Sequence, residues 1–169
     1  MENLLTKKVK LYKYSSRRER VFQSGKGLIR RMLDQYNMDI FPILESASKF
    51  TLSESGVNIC VAMYDPLDIE IARGRFSYYK WTQAESIQGK YYRFYAFDGG
   101  KTKYIVHLTY INSEQQIGLI RATNYLRHRM ENVMEWNEKM TKIWEFYGDN
   151  PEMFHKKRAA FVKQLMKRG

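Results

Sequence analysis

Apolar and polar positions along this chain change period several times, and each change marks an element. Near the start, Lys8-Val9-Lys10-Leu11 alternates cation and apolar residue, the period of a short edge strand with a basic face. The alternation slips at Tyr12-Lys13-Tyr14, and residues 1–20 read as a basic arm. From Gly27 to Tyr36 the period becomes helical: Leu28, Ile29, Met32, Leu33 and Tyr36 share one face, with Arg30 and Arg31 opposite. Gly25 and Gly27 argue against an earlier start, because glycine weakens a helix interior. A second, short helix is predicted from Pro42 to Lys49, with proline in its first turn.

Strand patterns follow. Val57 to Tyr64 is almost continuously apolar, as for a strand buried on both faces, and Asp65-Pro66-Leu67-Asp68 makes a turn. Ile69 to Trp81 is rich in β-branched and aromatic residues and reads as a strand, with Gly74 marking a bulge. Lys90–Phe97 and Lys101–Ile111 flank Asp98-Gly99-Gly100, the strongest hairpin signal in the chain. These segments predict a four-stranded antiparallel meander.

The remainder is helical. Ser113 followed by Gln116 resembles a capping box, and Leu119, Leu126, Val133, Met140 and Tyr147 recur every seven residues. The companion positions Thr123, Met130, Asn137 and Trp144 are only half apolar, which favours one long helix laid across the sheet over a coiled coil. Gly148 ends it, Asn150 caps the next helix, and Pro151 is that helix's first residue. The final helix is expected to bury Phe154, Phe161, Val162 and Leu165. The fold class expected is α+β: a four-stranded antiparallel meander sheet flanked by an N-terminal helix, a long C-terminal helix and a final short helix. Residues 1–169 form one domain, with 1–20 as the arm and 150–169 as a basic C-terminal helix.

Composition changes the picture through the placement of charge. The net charge is +11. Residues 1–31 carry ten Lys/Arg against Glu2 and Glu19, and residues 155–169 carry six with no acid, while 32–154 has a small negative excess. Separated blocks of one sign suit a surface that tracks phosphates. The 44% hydrophobic content points to a packed globule, and no uncharged stretch approaches the ~20 residues of a membrane helix. With no signal-peptide pattern at the N-terminus and one cysteine, Cys60, the expectation is the cytoplasm, or a virion assembled there.

Candidate chemistry is sparse. Aromatics interleave with cations in Arg73-Gly74-Arg75-Phe76-Ser77-Tyr78-Tyr79-Lys80-Trp81 and in Lys90-Tyr91-Tyr92-Arg93-Phe94-Tyr95, where Arg93 would share a strand face with Tyr91 and Tyr95. Rings that stack on bases beside cations that meet phosphates are what a single-strand platform needs. Asp65, Asp68 and Glu70 cluster at a predicted turn, but the lysine of an Asp…Glu-x-Lys metal nuclease is absent. His107, His128 and His155 have no zinc spacing, and His107 could act as the base of a metal-free ribonuclease. Arg127-His128-Arg129 reads as a solvated helix face that could also meet phosphate.

The expected function is non-catalytic nucleic-acid binding, RNA or DNA, without cofactor, metal or membrane. The alternatives are an assembly protein of a phage, virus or other nucleoprotein complex, with protein subunits or a second copy as partner through the long helix, and a metal-independent ribonuclease. The expected contacts are Lys7, Lys8, Lys10, Lys13, Arg17, Arg18 and Arg20 in the arm, and Arg30 and Arg31 on the first helix. Arg73, Arg75, Tyr78 and Arg93 are expected on the sheet, and Lys156, Lys157, Arg158, Lys163, Lys167 and Arg168 at the end.

Overall fold

A computed structural model describes residues 8–168, so Lys7 lies outside the described residues. The elements run α1 (Ser16–Met32), β1 (Met38–Pro42), a 3-10 turn (Leu44–Ala47), β2 (Val57–Met63), a second 3-10 turn (Pro66–Asp68) and α2 (Ile69–Tyr78). They continue with β3 (Thr82–Ile87), β4 (Tyr91–Asp98), β5 (Lys101–Tyr110), α3 (Glu114–His128), α4 (Met130–Tyr147) and α5 (Pro151–Lys167).

The class is α+β, as the periodicities imply, but the sheet is not a four-stranded antiparallel meander. It has five strands in the order β1-β2-β5-β4-β3. β2 runs parallel to β5, with Val57 opposite Tyr104 and Met63 opposite Tyr110, while the other neighbours are antiparallel. The predicted hairpin is present as β4 and β5, paired from Tyr92↔Leu108 to Asp98↔Lys101. β1 and β3 are not among the predicted strands. β3 exposes all its residues and so has no hydrophobic alternation to betray it.

Ile69–Tyr78 is a helix, not a strand. Asp65 accepts from the Leu67 N–H at 2.9 Å, Pro66 starts the turn, and Ile69, Ala72 and Phe76 are buried at helical spacing. The aromatic richness that suggested a strand is divided between a buried Phe76, edge-on to Trp81 and stacked on Phe94, and the exposed Tyr78 and Tyr79. α1 starts eleven residues before the predicted Gly27, at Ser16. Gly25 is used rather than merely tolerated: a Cβ there would lie 2.8 Å from Tyr104 and 2.9 Å from Ile59, so its absence lets α1 approach the sheet.

The long helix is two helices. Arg129 adopts an extended conformation between α3 and α4. The last carbonyls of α3 are taken by side chains from outside it, Ser48 Oγ donating to Leu126 at 3.0 Å and Asn132 Nδ2 to Tyr125 at 2.8 Å. The start of α3 and the final helix match the expectation. Ser113 accepts from the Gln116 N–H, Gln116 accepts from the Asn112 N–H, and Asn150 caps α5 through the Met153 N–H. α5 buries Phe154, Phe161, Val162 and Leu165. The Lys8–Leu11 edge strand is not formed; the arm instead makes one isolated antiparallel bridge, Tyr12 with Ser53.

Alternation sorts the sheet into two faces. Val57, Ile59, Val61 and Met63 of β2, with Tyr104, Val106 and Leu108 of β5, pack with residues of α1 and α2 in one apolar core. Cys60 and Ala62 join α3, α4 and α5 in a second core. β2 is buried along its whole length because both faces are covered, which is why its sequence is a continuous apolar run.

Candidate nucleic-acid interface

One end of the sheet, where β2 begins and the β4–β5 hairpin turns, is open. The arm reaches it because Tyr12 exchanges backbone hydrogen bonds of 2.8 and 3.0 Å with Ser53. α1 starts immediately afterwards. Between arm, α1, the segment 53–57 and the hairpin lies a cleft of about 580 Å3 that includes Lys13, Arg17, Lys101 and Lys103 in its walls. Lys103 is 3.9 Å from Asp98, while Lys13, Arg17 and Lys101 have no carboxylate partner among the described residues.

A recess of about 300 Å3 adjoins the cleft and shares Glu54, Ser55, Gly56 and Thr102 with it. A Cβ on Gly56 would lie 2.9 Å from Thr102 and 3.0 Å from Ile105, so the common floor requires glycine. The recess is walled by Arg93, Tyr95 and Phe97 of the hairpin and by His155 and Arg158 of α5. The Tyr95 and Phe97 rings are stacked, with centroids 6.3 Å apart and planes 19° apart. The Arg93 guanidinium sits 5.6 Å from the Tyr95 ring and 3.5 Å from Glu85, and its buried Nε has no hydrogen-bond partner among the described residues.

Beneath the recess runs a buried polar chain. Arg158 donates to both oxygens of Glu45, at 2.7 and 3.0 Å, and Asn58 Nδ2 donates to the same carboxylate at 3.2 Å. Asn58 Oδ1 therefore faces His107 and accepts from its Nε2–H at 3.0 Å. His107 Nδ1 is then the acceptor for the Tyr91 hydroxyl at 2.7 Å. Burial holds His107 neutral, well below the usual histidine range, and the nearby charges of Arg93 and Arg158 act in the same direction. Burial opposes the charge of Arg158, but Glu45 and Glu54 more than offset it and raise its pKa. Burial pushes the Cys60 thiol up to about 12, which leaves it an inert core group.

The predicted contact residues separate into several groups. Lys13 and Arg17 line the cleft and Arg93 lines the recess. The expectation that Arg93 shares a face with Tyr95 fits the register, Arg93↔His107 and Tyr95↔Ile105. Arg18 is turned inward, donating to the carbonyls of Glu45 and Thr51 at 2.8 and 2.9 Å, and Arg158 belongs to the buried chain. Lys8, Lys10 and Arg20 are exposed. Arg30 and Arg31 are exposed at the far end of α1, roughly 20 Å along the helix from Arg17. On α2, Arg73 pairs with Glu70 at 2.8 Å, while Arg75 and Tyr78 are exposed. Lys156, Lys157 and Lys167 are exposed on α5, Lys163 lies 3.7 Å from Glu85, and Arg168 pairs with Glu135 at 2.9 Å. Sequence reading missed Lys101, Lys103, Phe97, Glu45 and Asn58. The lysines flank the recognised hairpin, so their proximity to one another was legible, but their proximity to the arm was not.

No family model matches the chain, and no curated protein sequence does. Solved structures match in fold. The conserved protein GrpB from Enterococcus faecalis superposes with a TM-score of 0.78 at 13% identity, covering 94% of this chain and 95% of that one. A Cid1 poly(U) polymerase bound to MgGTP superposes with a TM-score of 0.54 at 12% identity over 79% of this chain, which spans 44% of the polymerase. At these identities the likeness is one of fold.

Proposed function

We propose that this protein binds nucleic acid, without catalysing its reaction, in the cleft and recess at the open end of the sheet. The observation that carries the reading is the meeting of Lys13 and Arg17 with Lys101 and Lys103 around one cleft, beside the stacked Tyr95 and Phe97. Cations supply phosphate contacts and the exposed Phe97 ring supplies base stacking, the two parts of a single-strand site. The Cid1 structure holds a magnesium nucleotide in a related fold. Magnesium needs oxygen ligands free to coordinate it. Here Glu45, beneath the recess, and Glu54, in its wall, lie 2.7 and 3.9 Å from Arg158. Their engagement with Arg158 favours binding over metal-assisted transfer.

The test is binding of single- and double-stranded oligonucleotides, followed by fluorescence anisotropy against salt. Four phosphate contacts on a single strand give a slope of about −3 in log affinity against log salt. Lys101→Glu with Lys103→Glu should weaken binding at least tenfold and flatten that slope. Affinity that ignores salt, or a double variant that binds like the wild type, overturns the reading.

A further inference from the structure

The part of the chain with a negative charge balance supplies most of a second cationic surface. It lies at the break between α3 and α4, where grooves of about 500 and 320 Å3 share His128 and Arg129. Their walls include Lys49, Arg121, Arg127, Arg129 and Arg168, and no aspartate or glutamate. The sheet-end cleft, by contrast, includes Glu54 and Asp98. Arg121 donates to the Met166 carbonyl and Arg168 pairs with Glu135, while Lys49, Arg127 and Arg129 have no carboxylate partner among the described residues.

Phe50 stands in the smaller groove. Its φ is +68°, a costly conformation for a bulky side chain, and the residue is 65% exposed. Side chains of α4 fasten the backbone that follows. Asn137 donates to the Phe50 carbonyl at 2.9 Å and accepts from the Leu52 N–H at 2.7 Å, and Trp136 Nε1 donates to the Leu52 carbonyl at 2.9 Å. Ser48 is tied to the end of α3 by its bond to the Leu126 carbonyl. Hydrogen bonds on both sides therefore hold an aromatic ring out into solvent beside unpaired cations.

We infer that the α3–α4 break is a second contact surface for a single-stranded nucleic acid, with Lys49, Arg127 and Arg129 meeting phosphates and Phe50 stacking on a base. The inference rests on the nucleic-acid reading of the sheet-end cleft. The two surfaces share one connecting segment. Phe50 lines this groove and Ser53 lines the cleft, so their Cα atoms are at most about 11 Å apart. A strand leaving one surface can reach the other.

The experiment compares the wild type with Arg127→Glu/Arg129→Glu, Arg127→Gln/Arg129→Gln, Phe50→Leu and Lys101→Glu/Lys103→Glu, using a single-stranded oligonucleotide of about 20 nucleotides. Loss of two phosphate contacts should reduce the salt slope by about 1.4 and weaken binding at least tenfold, with melting temperature unchanged. The Gln pair provides the same readout if the Glu pair perturbs folding. Phe50→Leu should weaken binding about fivefold or more by removing the ring. Wild-type affinity and slope in both Arg127/Arg129 variants, with Lys101→Glu/Lys103→Glu impaired, overturns the second surface and leaves the cleft reading standing. No salt-dependent binding by the wild type overturns both. Equal competition by poly-glutamate, with Phe50→Leu neutral, assigns the surface to an acidic protein and overturns the inference.

Discussion

The two faces of the sheet are built on different principles, although neighbouring residues of the same strands make them. Ile59 and Val106 point into the core beneath α1 and α2, where the buried strand side chains are apolar apart from the Tyr104 and Tyr92 hydroxyls. Asn58 and His107, one residue away in each strand, point beneath α5 into the chain that ends on Glu45 and Arg158. An apolar face asks only for volume and shape. A polar face asks for direction, because each donor withdrawn leaves a buried partner without its bond. The demanding face is also the one that opens into the recess, and the buried chain fixes Arg158 as one of the recess walls.

The largest expected effect tests that distinction. Arg158→Ala leaves the Glu45 carboxylate, whose side chain is 2% exposed, without its countercharge, and should cost about 3–5 kcal/mol. Ile59→Ala on the opposite face should cost about 2–5 kcal/mol through lost burial and the cavity left behind. Magnitude does not separate the faces, but coupling does. Adding Glu45→Gln should recover part of the Arg158→Ala loss and none of the Ile59→Ala loss, as measured by urea unfolding. Equal response of both variants to Glu45→Gln would erase the contrast between the faces.

A smaller effect follows from His107. Its folded pKa lies well below the ordinary value because of burial. As pH falls through about 6.5, the unfolded chain takes up a proton that the folded chain refuses, so stability is lost on acidification and is fully present above that pH. The contribution is about 1.4 kcal/mol per pH unit between roughly pH 6.5 and the depressed folded value. His107→Gln should flatten the unfolding free energy against pH over this window. An unchanged slope would show that His107 is charged inside the fold, and the direction assigned to its hydrogen bonds would be wrong.

What the sequence disclosed divides along similar lines. Local signals were legible: the β4–β5 hairpin, the Ser113 and Asn150 caps and the buried stripe of α5 all depend on residues close in the chain. Long-range pairing was not legible. The parallel contact of β2 with β5 is a relation between distant segments, and β3 has no buried side to give it a period. The α3–α4 break has neither proline nor glycine at it, because Ser48 and Asn132 supply the hydrogen bonds that accommodate it. Composition misled at α2, where aromatics suggested a strand while Ile69, Ala72 and Phe76 kept helical spacing. The candidate site was half legible. Block charges pointed to the arm and to α5, but Arg18 and Arg158 are engaged inside, and the cleft takes Lys101 and Lys103 from a hairpin in the near-neutral middle.

The smallest expected effect concerns the outer side of α5, and it sets the limit of the polar face. Phe161 packs inward on Trp136, with ring centroids 5.8 Å apart, and Phe161→Ala should cost about 3–5 kcal/mol. Lys156 and Lys163 are on the solvent side. Lys163 is 3.7 Å from Glu85 with both side chains about half exposed or more, an arrangement worth roughly 0–1 kcal/mol. Lys156→Glu with Lys163→Glu should therefore leave unfolding free energy within about 1 kcal/mol of the wild type. Neither lysine lines the cleft or the recess, whereas Arg158, on the same helix, does. The reversal should then change the salt slope of oligonucleotide binding by less than about 0.7, the contribution of one phosphate contact on a single strand. A larger change would extend the interface over the outside of α5, and the division between that helix's packing side and its solvent side would have to include binding as well as stability.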